Sequence, residues 1–256
     1  IDTANTSITD CNGSQGFVSL PIPGIKSRVE EFTSKNGITS GNFLNAAFAY
    51  TYSCFLCSDK VYFNFTEHGR HEDYARNAVG MFTRTVPILV DCKNDFINEY
   101  LSYFSDLALS CMMNDVYPFR MLASEFNLNN DVMFEYNLDL NDVSSLNEDI
   151  IASENITDSI SDLLFVVNDL DDGYAVEIQH SDKFSRKTII SFAKAYGEIL
   201  TQMMDKEMLA DIDYCISEDL KVLSAISQNE NSPDVHAKKY PGDSFVDYVA
   251  PTNAVE

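Results

Sequence analysis

The chain has 256 residues, 45% of them hydrophobic, and its 40 acidic and 17 basic residues give a formal net charge of −23. This length and apolar content are sufficient for a buried core in one or two domains. Such a charge repels phosphate backbones and anionic lipid surfaces, so it argues against nucleic-acid and membrane-surface partners. Solubility is the favoured explanation of the charge over a specific cationic partner.

No apolar run approaches the roughly 20 residues that a membrane span needs, and the first residues have no basic flank or apolar signal core. We therefore expect a cytoplasmic protein whose beginning is typical of a cut within a larger polypeptide. Six scattered cysteines do not form a dense disulfide framework and predict reduced thiols. Cys54 and Cys57 have metal or redox spacing, but their apolar helical context and the lack of a second pair favour burial in the core.

Apolar spacing in the first half of the chain predicts alternating helices and strands. The predicted elements are a short helix from Ile25 that ends at Asn36-Gly37, a mostly buried helix from about Gly41 to Cys57 behind a Thr39 or Ser40 cap, a strand over Val61–Phe65, a polar loop over His68–Ala78, and a strand over Thr83–Val90. Pro87 within the last strand predicts an edge position, a bulge or irregular pairing.

In the second half, Asp171-Asp172-Gly173 marks a tight hairpin between two apolar strands. The predicted elements are a helix over Asn94–Met113, a strand over Val132–Tyr136, an acidic polar excursion over 140–159, hairpin strands over Leu163–Asn168 and Tyr174–His180, a helix over 188–205, and a short helix over Ser217–Ser227. The remaining tail is rich in turn-forming and polar residues and predicts a linker.

The most informative segment runs from Tyr62 to Pro87 and reads YFNFTEHGRHEDYARNAVGMFTRTVP. It resembles the condensation domains of nonribosomal peptide synthetases, in which a strand ends in Gly-Arg and a block close to Val-Gly-Met-Phe-Val-Asn-Thr-Leu-Pro follows a polar loop. The matching residues are Val79, Gly80, Met81, Phe82, Thr85 and Pro87. Thr83, Arg84 and Val86 depart from the Val, Asn and Leu of the family.

Further matches follow in the family's order. Asn114–Phe119 is similar to the family's His-Gln-Asp-Tyr-Pro-Phe, Asp131–Asn137 is loosely similar to its next strand, and Phe184, Thr188 and Ile189 match the start of its closing helix. The resemblance implies an α/β (α+β layered) fold with a mixed β-sheet covered by helices, one subdomain of the chloramphenicol-acetyltransferase-like fold.

The family's catalytic signature, His-His-x-x-x-Asp-Gly, occurs nowhere in the sequence, and the nearest stretch, His68–Asp73, has the wrong spacing. Because the signature lies in the family's N-terminal half, the resemblance implies the C-terminal half of a condensation domain over 17–227. Residues 1–16 are then a disordered or cut N-terminal end, and 228–256 are a linker towards the next synthetase domain. Tyr248–Thr252 is similar to the entry into a carrier domain, and an adenylation domain is the alternative.

The resemblance implies a parent that joins carrier-bound aminoacyl or peptidyl thioesters by amide-bond formation, while this chain alone is inactive. It implies no catalytic residue and no metal in this chain, and no directly bound cofactor. The 4′-phosphopantetheine arms belong to partner carrier (thiolation) domains. The other implied partners are the N-terminal half of the condensation domain and an adjacent adenylation or carrier domain in the same polypeptide.

Carried over from the family, the residues expected near the substrate tunnel are Gly80, Met81, Phe82, Arg84, Thr85 and Pro87, and those expected to support the acceptor side are Asp115, Pro118 and Phe119. Gly80 permits positive φ or close backbone approach, although simple strand entry explains it equally well. For Arg84, pairing with a carboxylate is favoured over phosphate binding or altered specificity.

Two other functions remain open: half of an acyltransferase that depends on coenzyme A, and a non-catalytic docking module between synthetase modules. An epimerisation domain shares the fold and is a further variant. His180 and His236 are interpreted as scaffold or surface residues, because no Ser-His-Asp or Cys-His order is present. Asp169, Asp171 and Asp172 lack the spacing of a calcium loop and are interpreted as hairpin residues.

Overall fold

The computed structural model describes residues 15–70, 78–93, 96–114, 117–137 and 161–214. Its helices are α1 (Lys26–Asn36), α2 (Ser40–Leu56), α3 (Ile97–Met113), α4 (Phe119–Phe126) and α5 (Arg186–Asp205), followed by a 3-10 turn at Leu209–Asp211. Its strands are β1 (Gln15–Pro23), β2 (Lys60–Glu67), β3 (Arg84–Asp91), β4 (Val132–Asn137), β5 (Leu163–Asp169) and β6 (Gly173–Ser181). In the part of the chain that is described, no helix is both long and apolar enough to cross a membrane.

The six strands form one mixed sheet in the order β1-β6-β5-β4-β2-β3. The central strands β2, β4 and β5 are parallel, whereas the pairs β1–β6, β5–β6 and β2–β3 are antiparallel. This arrangement confirms the predicted α/β fold with a mixed sheet covered by helices. The carboxyl ends of the three parallel strands meet at one edge of the sheet, which is where ligands usually bind in open α/β sheets.

Helix α2 lies at the centre of the core, and eleven of its side chains are buried. The Phe48 ring packs against Tyr52, Phe63, Phe134, Phe165 and Phe192 with centroid separations of 4.9–6.0 Å. These partners come from α2, β2, β4, β5 and α5, so a single side chain joins the sheet to helices α2 and α5. The prediction that α2 is buried over most of its circumference is confirmed.

Several local predictions are confirmed with their physical causes. Thr39 caps α2, and its Oγ1 accepts a hydrogen bond from the Asn42 N–H at 3.1 Å. Pro87 lies on the edge strand β3, opposite Asn64 and in regular register. The β5–β6 hairpin closes where the Leu170 N–H donates to the Gly173 carbonyl at 3.0 Å. The N-terminal helix ends at Gly37, whose φ is 67°.

The structure adds two elements that the sequence did not predict, β1 and α4. Strand β1 contains Pro21 and Pro23, which indicate a loop, yet an edge strand tolerates prolines because one side of its backbone has no partner. The predicted end over 1–16 therefore overlaps the first two residues of β1. Helix α3 begins at Ile97 instead of Asn94. The acidic excursion, the helix over 217–227 and the linker lie outside the described residues.

The cysteines only partly follow the prediction of burial. Cys92 is buried and Cys54 is half-buried, but Cys57 is exposed at the C-cap of α2, so the prediction is wrong for Cys57. Burial raises the pKa of Cys92 to about 11 and that of Cys54 to about 12. Among the described residues, no group of three or more His, Cys, Asp or Glu side chains is arranged to hold a metal.

We expect a thiol reagent at pH 8 to modify Cys57 before Cys54 and Cys92, because the thiolate is the reactive form and burial keeps the latter two protonated. With a pKa of about 11 for Cys92, its thiolate fraction at pH 8 is about 10⁻³. Peptide mass mapping during a time course measures the order of reaction. Equal rates for Cys57 and Cys92 in the folded chain would contradict this assignment.

Candidate functional site

The Gly-Arg turn at the end of β2 is built by one close backbone approach. Gly69 has φ of 65°, and a Cβ at this position would lie 2.0 Å from the carbonyl oxygen of Phe82. The Gly69 N–H donates to Glu67 Oε2 at 2.7 Å, so the side chain of Glu67, which is 5% exposed, ends β2 and orders the turn. Only glycine fits here, because any side chain would displace the backbone of Phe82.

Arg70 then holds the segment that precedes β3. Its guanidinium donates to the Ala78 carbonyl at 2.9 Å and to the Gly80 carbonyl at 3.1 Å, and it lies 4.5 Å from the centroid of the Phe82 ring. These hydrogen bonds and the cation–π contact fix the backbone of 78–82 against the end of β2. Val79 and Met81 nevertheless project fully outward, and Met81 is 92% exposed.

The residues predicted for the tunnel form a continuous path from this turn into the edge strand. Gly80 has a positive φ of 158°, and a Cβ there would lie 3.4 Å from the Phe82 ring. Arg84 begins β3 directly opposite Glu67, a position that favours the pairing interpretation of this residue. Thr85 and Pro87 are half-buried in β3, opposite Thr66 and Asn64.

The residues predicted for the acceptor side lie at the start of α4. Pro118 is its N-cap and Phe119 is its first residue, and α4 packs near β3. No side chain of α4 is buried, and both Met121 and Phe126 are more than half exposed. Asp115 lies outside the described residues.

A groove of about 690 Å³ lies at the carboxyl edge of the parallel strands, where the amino end of α2 faces β2, β4 and β5. Thr83 lines it, whereas the six residues predicted for the tunnel do not. Its apolar walls include Phe65, Met112 and Phe134. The groove and the Arg70-held turn meet at Glu67 and His68, which line the groove and lead into Gly69.

Three polar contacts order the side chains of the groove. Lys26 Nζ lies 2.9 Å from Asp169 Oδ1 and also donates to the Leu170 carbonyl at 2.9 Å. Glu135 accepts a hydrogen bond from Thr66 Oγ1 at 2.9 Å. Burial, together with the carboxylates of Asp169 and Glu30, raises the pKa of Tyr136 to about 12.

Asn45 is the buried polar residue of the groove. Its side chain is on α2, the residue is 4% exposed, and Oδ1 has no hydrogen-bond partner. The sequence did not predict Asn45, Glu135 or Tyr136 as site residues, since Asn45 is on α2 whereas Glu135 and Tyr136 are on β4, far away in the sequence. Their position at the ends of parallel strands and at a helix start is a signal that appears only once the strand order is known.

A family model described as Condensation domain matches residues 9–218 of the chain. No curated protein sequence matches this chain.

Among solved structures, the X-domain from teicoplanin biosynthesis, determined in complex with OxyB, matches with 16% identity and a TM-score of 0.67 over 84% of this chain and 51% of that chain. The first condensation domain of the calcium-dependent antibiotic synthetase matches with 13% identity and a TM-score of 0.62. The match covers 79% of this chain and 48% of that chain. A four-domain nonribosomal peptide synthetase matches with 10% identity and a TM-score of 0.68. The match covers 80% of this chain and 18% of that chain.

The chain therefore spans about half the length of the first two structures, at 51% and 48%. At these identities the similarity to solved structures shows a shared fold. The family model covers well over half of the chain, and the order of its motifs, the mixed sheet and the Gly-Arg turn agree with it. The chain belongs to the condensation-domain family.

Proposed function

We propose that this chain is the C-terminal half of a condensation domain whose parent polypeptide joins carrier-bound aminoacyl or peptidyl thioesters through an amide bond, and that it is inactive alone. One observation carries the proposal: the chain matches the family over 9–218 but spans 48–51% of single-domain structures. The absence of His-His-x-x-x-Asp-Gly from its sequence agrees with a missing N-terminal half.

The reaction requires an amine to attack a thioester carbonyl, so that a C–N bond forms, the C–S bond breaks and the amine loses a proton. In this proposal a group of the other half manages that proton, while this half supplies shape and positioning. The turn held by Arg70 and the start of β3 would line the tunnel through Gly80, Met81 and Phe82. Pro118 and Phe119 would support the acceptor side.

The proposed partners follow from the same reaction. Each substrate would arrive on the 4′-phosphopantetheine arm of a carrier domain, so the chain itself would bind no resident cofactor. The N-terminal half of the condensation domain would complete the tunnel, and an adenylation or carrier domain would adjoin it in the parent polypeptide.

We expect the purified chain to form no amide product between two loaded carriers, and the parent condensation domain that contains both halves to form it. General acid–base groups typically contribute about 10²–10⁴ in rate, and here they are assigned to the missing half. Mass spectrometry of the carriers measures product. A control with the catalytic His of the other half replaced by alanine tests whether the two halves together act through that residue.

Product formed by this chain alone would contradict the half-site proposal. Product formed from coenzyme A thioesters as efficiently as from carriers would favour the acyltransferase alternative instead.

A non-catalytic docking module is the second candidate, and a specific observation favours it. Val79 and Met81 are exposed apolar side chains on a backbone that Arg70 holds in place, which is typical of an interaction surface. The X-domain that shares this fold was determined in complex with another protein. If the parent segment that precedes this chain also lacks His-His-x-x-x-Asp-Gly, the docking function replaces the catalytic one.

A further inference from the structure

We propose that the apolar face of α4 is a surface on which the N-terminal half of the parent condensation domain packs. This surface, the α4 face, consists of Phe119, Leu122, Ala123 and Phe126 on α4 and of Leu89 on the neighbouring strand β3. The existence of the N-terminal half rests on the proposed function. The need of α4 for a packing partner rests on the structure of α4 itself.

Helix α4 is amphipathic, but its apolar side chains lie outside the core. Phe119, Leu122, Ala123 and Phe126 have the i, i+3, i+4, i+7 spacing of one helix face. None of them is buried, and Phe126 is 62% exposed. Among the described residues, neither the buried core nor the partly buried hydrophobic side chains packed against it include a residue of α4. Each of the other four helices does contribute to that core.

No local interaction replaces the missing packing of α4. Its N-cap Pro118 makes no side-chain hydrogen bond, its first turn has no acidic residue, and its last turn has no basic one. Glu125 lies in that last turn, where the helix dipole disfavours a negative charge. Isolated helices shorter than about 12–15 residues are marginal in water, and most helical stability in proteins comes from packing of the apolar face. With eight residues, α4 therefore needs a partner that the described part of this chain does not supply.

Hydrogen bonds fix the position of α4 without using its apolar face. Tyr62 Oη and Asn64 Nδ2 donate to the carbonyl of Asn129, just after the helix, at 3.1 and 3.0 Å. On β2, Tyr62 and Asn64 alternate with Phe63, whose ring contacts α2, so they lie on the opposite face of the sheet. Leu89 pairs with Tyr62, shares its face and is 59% exposed. The end of α4 and Leu89 are thus held on the same side of the sheet, with apolar surface left available to a partner.

The composition around α4 is that of a protein interface. From Tyr117 to Phe126 the sequence has one basic residue, Arg120, and one acidic residue, Glu125, so this segment is neutral in a chain with a net charge of −23. Tyr117 and Met121 add further exposed surface, at 42% and 52%. Interface cores are depleted in charged residues and enriched in aromatic residues, Met and Arg. The segment therefore fits a protein partner better than it fits solvent.

The size of this chain indicates which partner it is. The chain spans 51% of the X-domain structure and 48% of the first condensation domain, so about half of such a domain lies outside it. A half-domain of the same polypeptide stays in contact and can stabilise α4, whereas a carrier that delivers substrates has to dissociate in each cycle. A second copy of this chain is disfavoured, because two chains with a charge of −23 each repel one another.

The test is hydrogen–deuterium exchange, read by mass spectrometry, of the 256-residue chain and of the parent condensation domain that contains both halves. We expect the amides of α4 to exchange at least about 10-fold more slowly in the parent, because packing of the α4 face suppresses local opening of the helix. Helix α5 is the internal control, since its eight buried side chains already hold it in the core. Its amides report any stabilisation of the whole fold, which would slow α5 as much as α4.

A pair of substitutions in the parent identifies the surface. Phe126→Ser should return the exchange of α4 to within about 3-fold of its rate in this chain alone, because an aromatic side chain at the centre of an interface typically dominates the contact. Leu109→Ser is the matched control, since Leu109 is 52% exposed on α3, outside the α4 face, and its loss should leave the exchange of α4 unchanged. In this chain alone neither variant should lower the melting temperature measurably, because both side chains are exposed.

Several results would overturn the inference. Equal exchange of α4 in this chain and in the parent would show that the other half does not cover it, and so would equal effects of the two variants. Protection that appears only after loaded carriers are added would assign the α4 face to a carrier. Slow exchange in this chain alone would assign it to another part of the same chain or, if sedimentation shows a dimer, to a second copy.

The exchange measurement needs no amide synthesis, so its failure is distinguishable from failure of the proposed function. A parent that protects α4 but forms no amide between loaded carriers would keep the interface and remove the condensation proposal. A parent that forms the amide while α4 exchanges as fast as in this chain alone would do the reverse.

Discussion

Replacing Phe48 with alanine is expected to lower the free energy of unfolding by about 3–5 kcal/mol, the range for deleting a large aromatic side chain from a packed core. Phe48 is fully buried and contacts aromatic rings of helices α2 and α5 and of three strands. Collapse around the cavity would require the sheet and α5 to move together, so the cavity should persist. Urea denaturation followed by circular dichroism measures the change.

Phe126→Ala is the control for Phe48→Ala, because Phe126 is 62% exposed on α4. Its loss should change the free energy of unfolding by about 0.5 kcal/mol or less. Similar losses for the two variants would show that Phe48 is not the central residue of the core.

Replacing Gly69 with alanine is expected to cost about 2–5 kcal/mol of stability. About 1–2 kcal/mol comes from placing a side chain at a left-handed φ, and about 1–3 kcal/mol comes from forcing atoms into occupied space. Here the occupied space is the Phe82 carbonyl, 2.0 Å from the new Cβ. The variant should also detach 78–82 from Arg70 and abolish amide synthesis by the parent. Denaturation and the two-carrier assay measure the two effects.

Gly37→Ala provides a matched control for this substitution. Its φ is 67°, close to the 65° of Gly69, but a Cβ at Gly37 has nothing within 4 Å. It should therefore show only the left-handed cost of about 1–2 kcal/mol and leave synthesis intact. Equal stability losses at the two positions would mean that the approach to Phe82 does not govern the turn.

The elements that could be predicted from the sequence are those with a local cause. Thr39 predicts the start of α2, because its hydroxyl accepts a hydrogen bond from a nearby backbone N–H. Asp172-Gly173 predicts a hairpin, because tight hairpin turns favour the Asp-Gly dipeptide. Strand β1 has no such local signal. Pro21 and Pro23 are typical of a loop unless the segment is known to be an edge strand. Its partner β6 lies far away in the sequence, so no local pattern reveals the pairing.

The candidate site also has one part that the local sequence predicts and one part that it does not. The Gly-Arg turn was recognisable because Gly69, Arg70 and the block that starts at Val79 are close in sequence and belong to a family pattern. That pattern did not predict what Arg70 does, which depends on the carbonyls of Ala78 and Gly80. The groove was not predictable, because Asn45, Glu135 and Glu30 meet only after three elements have packed.

The pairing of β1 with β6 has a consequence for synthesis of the chain on the ribosome. Gln15 pairs with Ser181 and Pro23 with Gly173. At about 5–20 residues per second, β1 waits roughly 10–30 s before its partner has been made. During that interval its hydrogen-bonding edge is open to strands of neighbouring nascent chains. Pro21 and Pro23 lack an N–H and so shorten that hydrogen-bonding edge. The two prolines that made β1 unpredictable from the sequence therefore also limit its pairing with other chains before β6 is made.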